Sequence, residues 1–70
     1  MKQLGYIGID QCGTHYIIQK HPRKELLKQL GRKFAQKMYV DDKEGNPKHI
    51  GYIIAGLWIR IYRVFPFKEG

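Results

Sequence analysis

Apolar residues along this chain follow two different periods, and the switch between them marks its elements. Near the start the pattern alternates, with Ile7 and Ile9 on one side and Tyr6, Gly8 and Asp10 on the other, as a half-buried strand requires. Thr14-His15-Tyr16-Ile17-Ile18 follows, rich in the aromatic and β-branched side chains that suit a pleated surface. Cys12-Gly13, between them, reads as a two-residue turn. That register sets Ile9 opposite Tyr16 and Ile7 opposite Ile18, all four on one face.

The period then lengthens. His21-Pro22 opens a helix, because proline's preset backbone angle suits the first helical position. Leu26, Leu27, Leu30 and Phe34 fit one stripe at helical spacing, and Gly31 is the residue type that stops a helix. At about 100° per residue, Lys24, Lys28 and Arg32 gather on the side away from that stripe. If Gly31 ends the helix, Arg32 and Lys33 fall in the loop that follows.

Beyond the helix, Met38-Tyr39-Val40 reads as a short strand, and Asp41 to Pro47 is dense in turn formers. Lys48 to Ile54 and Leu57 to Phe65 flank Ala55-Gly56, where a tight turn makes a long hairpin. This register pairs Ile54 with Leu57, Tyr52 with Ile59, Ile50 with Ile61, Ile53 with Trp58, Gly51 with Arg60 and His49 with Tyr62. One face is then purely Ile, Leu and Tyr and suits the leucine stripe. The other carries Trp58, Arg60, Tyr62, His49 and Ile53, with Tyr6, His15 and Ile17 in the same class of position. The predicted fold is α+β: a small antiparallel sheet, in sequence order β-β-α-β-β-β, with one amphipathic helix packed on one face. It forms a single domain over residues 1–70, and Lys68-Glu69-Gly70 is expected to fray.

Charge adds a function class to this picture. Between Lys20 and Lys37 stand seven basic residues (Lys20, Arg23, Lys24, Lys28, Arg32, Lys33, Lys37) against one acid, Glu25, a net +6 of the whole chain's +7. A local field of this kind attracts polyanions, so the first expectation is a basic nucleic-acid-binding module, for RNA or DNA. Its phosphate contacts would come from Lys20, Arg23, Lys24, Lys28, Arg32 and Lys33. On the other face bases could stack on Trp58, Tyr62 and Tyr6 while Arg60 neutralises phosphate. The competing expectation is an adaptor or inhibitor whose basic helix meets an acidic protein surface, or a homodimer joined through its last hairpin.

Several classes are excluded or disfavoured. Apolar content of 43% is too high for a disordered basic tail. The only cysteine, Cys12, cannot form an internal disulfide, which fits a reducing compartment; with no apolar run at the amino terminus like a signal peptide, the expected location is cytoplasmic. Ile50 to Ile59 is apolar but is about half of the roughly 20 residues that span a bilayer, so no membrane role is expected. No phosphate-binding glycine loop, zinc-ligand spacing or cofactor motif is present, and no metal or cofactor is expected. Asp41-Asp42 fits a turn better than a magnesium site.

Gly13-Thr14-His15-Tyr16-Ile17-Ile18-Gln19-Lys20-His21-Pro22 resembles the glycine, small hydroxyl, histidine segment of HicA-type messenger RNA interferase toxins. The resemblance implies an endoribonuclease with His15 as general acid or base. It covers about ten residues, and both the helix that precedes the strand in that family and its later strand order are missing here.

Overall fold

The structure is a computed structural model that describes residues 3–65; the expected fraying at Lys68-Glu69-Gly70 lies outside them. Its elements are β1 (Gly5–Ile9), β2 (His15–Ile18), α1 (Pro22–Leu30), β3 (Gln36–Asp41), β4 (Pro47–Ile54) and β5 (Leu57–Val64). The strands form one antiparallel sheet in the order β2-β1-β5-β4-β3, and α1 lies chiefly against β2. This is the expected α+β arrangement, with the helix on one face.

The first hairpin differs from expectation by one residue. Its connection is Gln11-Cys12-Gly13, not Cys12-Gly13: the Asp10 amide donates to the Thr14 carbonyl at 3.1 Å, and Gly13, at φ 85°, donates to the Asp10 carbonyl at 3.0 Å. The left-handed glycine supplies the bulge that closes a three-residue loop. The Asp10 carboxylate stabilises that loop by accepting the Cys12 and Thr14 amides at 2.9 and 3.0 Å. Ile7 therefore faces Ile17 and Ile9 faces His15, while Tyr6 pairs with Ile18 and Gly8 with Tyr16. A one-residue slip exchanges the faces of a strand. Tyr6 accordingly joins the helix side with Tyr16 and Ile18, and Ile7 and Ile9 join His15 and Ile17 on the open side.

The last hairpin turns at Ala55-Gly56 as expected, with φ 51° and 80°, and pairs Ile54 with Leu57, Ile53 with Trp58, Tyr52 with Ile59 and Gly51 with Arg60. The expected pairs Ile50–Ile61 and His49–Tyr62 are not made. Met38 pairs with Gly51 but Tyr39 with His49, so Ile50 is an extra residue in β4, a β-bulge that bends the strand. From there the start of β4 pairs only with β3, and Ile61 to Val64 of β5 pair only with β1. The sheet forks. Gly51 stands at the branch point, where any Cβ would run into the Ile59 carbonyl oxygen. The bulge also turns His49 away from the Trp58 face and sets its ring edge-on to Tyr52, 4.9 Å between centroids.

Between helix and sheet lies the core of Leu26, Leu27, Tyr16, Ile18, Ile54 and Ile59. The helix ends where Gly31 turns left-handed (φ 64°), with Arg32 donating to the Leu27 carbonyl at 2.9 Å and Gly31 to that of Lys28 at 3.3 Å. Phe34, expected in the apolar stripe, therefore lies beyond the helix and is 84% exposed.

Candidate functional site

The basic segment divides over three places. Lys20 precedes the helix, Arg23, Lys24 and Lys28 ride on it, and Arg32 and Lys33 fall in the loop after Gly31; all six are exposed. Glu25, the one acid among them, offsets a single positive charge and turns its carboxylate back to the chain. It accepts the amides of Gln19 and Lys20 at 2.9 Å and of His21 at 2.7 Å. Those hydrogen bonds hold its pKa down at about 2. They also supply an acceptor for amides at a helix start where His21 gives no side-chain cap.

On the opposite face β5 displays Trp58, Arg60 and Tyr62. Trp58 is 57% exposed and Tyr62 43% exposed, so neither is core. The Arg60 guanidinium lies over the Tyr62 ring, 5.6 Å from its centroid, within cation–π range. Gln11 ties the Trp58 end together: its Oε1 accepts the Trp58 amide at 2.7 Å and its Nε2 donates to the Gly56 carbonyl at 2.9 Å. Arg32 and Lys33 lie beside Ala55 and so share with Trp58 the end of the sheet that holds the Ala55-Gly56 turn.

At the other end the fork joins the two faces. A groove begins at the start of the helix, between Arg23, Lys24 and Tyr52. A second depression adjoins it, sharing Pro22 and Tyr52 and lined also by Tyr6, His49 and Arg63. A third, sharing His49, Ile50, Ile61 and Arg63 with the second, opens among Lys48, Arg60 and Tyr62; we treat the three as one groove. His49 stands in the fork with Nε2 donating to the Gly51 carbonyl at 2.8 Å, an acceptor-only partner. Among the described residues, five lysines and arginines line the groove and no acidic residue does.

Of the residues anticipated for binding, the fold brings Arg23, Lys24, Arg60 and Tyr62 to this groove, and leaves Lys20, Lys28, Arg32, Lys33 and Trp58 off its lining. Tyr6, anticipated for stacking on the Trp58 face, lines the groove from the helix side instead, while Lys48, Arg63 and Tyr52 were missed because their meeting depends on the fork. His15 is exposed on the open face at the start of β2, opposite Ile9, whose other neighbour is Arg60. Asp42 closes its own turn by accepting the Glu44 and Asn46 amides, each at 2.9 Å. Among the described residues no helix is long and apolar enough to cross a membrane. Comparison with known protein families, curated proteins and solved structures finds no match to this chain.

Proposed function

We propose that this chain is a small nucleic-acid-binding module that contacts phosphates through the lysines and arginines of α1 and its flanking loops. One observation carries the reading: Lys20, Arg23, Lys24, Lys28, Arg32 and Lys33 are all exposed on and around one short helix, and the single acid among them, Glu25, offsets only one of the seven positive charges between Lys20 and Lys37. Contacts of this kind bring affinity that falls with salt and is indifferent to base sequence. The test is a titration of labelled random-sequence nucleic acid at several salt concentrations, with wild type and Lys24→Glu/Lys28→Glu. The double variant is expected to bind every sequence more weakly and to lose about 2 from the slope of log affinity against log salt. Absence of binding at low salt overturns the proposal.

The open sheet face supports a second reading, association with protein. Ile17 is 70% exposed beside Ile7, Tyr62 and Val64, an apolar surface of the sort that meets a partner or a second copy. Sedimentation velocity over a concentration series tests self-association directly, and a concentration-independent monomer removes the homodimer.

A further inference from the structure

Building on the nucleic-acid reading, we infer that the fork between β4 and β5 is the path of one single strand, which enters beside the helix and leaves across Tyr62 on the opposite face. Three features of the groove lead there. Among the described residues its charge is of one sign, with Arg23 and Lys24 at the entry, Arg63 inside, and Lys48 and Arg60 at the exit. Tyrosine rings recur along the same route, at Tyr52 near the entry and Tyr62 at the exit, and alternating cations and rings are what a strand of phosphates and bases requires. The route also turns. It passes from one face of the sheet to the other between two neighbouring strands that have parted, within a domain of 70 residues.

That turn chooses the ligand. Duplex DNA is stiff over about 150 base pairs and cannot bend through so short a path, whereas a single strand rotates freely about its backbone bonds. A duplex would meet only the outward cations, such as Lys24 and Lys28. An acidic polypeptide shares the charge but offers no flat rings to Tyr52 and Tyr62, so it would be held by charge alone.

The test uses fluorescence anisotropy with the full chain, labelled single strands of about eight nucleotides, and a duplex with a strand of the same sequence. Wild type is expected to bind the single strands at least about tenfold more tightly than the duplex, with fork cations adding to the helix contacts. Lys48→Gln/Arg63→Gln changes two exposed side chains outside the core. It should remove that preference and lower the single-strand salt slope by about 1.4, while duplex binding changes by less than about threefold. Amide shift mapping with the same single strand is expected to move residues 48–51 and 60–63. Equal wild-type affinity for both forms, equal losses on both, or no shifts at the fork would overturn the fork path and leave the nucleic-acid reading intact. Competition by polyglutamate as effective as by the single strand also overturns it. If neither nucleic acid binds at low salt, the broader reading fails and takes the fork path with it.

Discussion

Two carboxylates do more for this fold than their charge indicates. Glu25 gathers three amides before the helix, and Asp10, 7% exposed, accepts the Cys12 and Thr14 amides and the Tyr16 hydroxyl, the last at 2.8 Å. Burial pushes the Asp10 pKa up, but hydrogen bonds from Thr14, Tyr16, Cys12 and Gly13 outweigh it and leave the group below the usual carboxylate range. Burial, and next the bond to Asp10, raises the Tyr16 phenol. The consequence for Glu25 is a defined acid sensitivity. Its pKa drops from about 4.5 to about 2 on folding, so its contribution is complete above pH 4.5 and is lost as pH falls toward 2. The urea midpoint should therefore decline through that window, and Glu25→Gln should both lower it at neutral pH and flatten the decline. An unchanged acid profile in the variant would show that Glu25 does not anchor the helix start.

At the scale of elements, two of the three hairpin turns use one local grammar. Asp42-Lys43-Glu44-Gly45-Asn46 repeats Asp10-Gln11-Cys12-Gly13-Thr14: the aspartate amide meets the carbonyl four residues on, its carboxylate takes two amides, and the glycine is left-handed, φ 82° at Gly45. That Asp-x-x-Gly spacing was legible in the sequence, and reading it would have given the right register for Ile7 and Ile9. The third turn is strained, because Ala55 holds φ 51° at a position where asparagine or glycine is favoured. Ala55→Asn is expected to stabilise the domain by about 0.5 to 1 kcal/mol, measured as a shift in urea midpoint. The bulge at Ile50 has no comparable signature, since nothing in Lys48-His49-Ile50-Gly51 marks which residue will be left unpaired.

For the molecule as a whole, stability rests on few side chains. Ile59, at the centre of β5, is fully buried among Leu26, Ile54 and Ile18. Ile59→Ala is expected to cost about 2 to 5 kcal/mol, a large share of the roughly 5 to 15 kcal/mol that holds an ordinary domain together. Trp58, its neighbour in sequence, points to the open face, and Trp58→Ala should change stability by no more than about 1 kcal/mol. Thermal denaturation of the pair separates core from surface; equal losses would contradict the assignment of faces. The same alternation governs the candidate site, since Arg60 and Tyr62 stay outward with Trp58 while Ile59 and Ile61 turn to the helix. Arg63 would sit with the helix side and Arg60 with the other, and only the fork makes them neighbours of one groove.

The sequence by itself determined the elements, their order, the Ala55-Gly56 turn, the helix stop at Gly31 and the concentration of positive charge, because each depends on residues within a few positions of one another. Tertiary structure alone decided where β4 leaves β5, and with it the company kept by His49, Lys48, Arg63 and Tyr52. That choice follows from competition: β3 holds the bulged start of β4, β1 holds the end of β5, and no local pattern in either strand expresses which partner prevails.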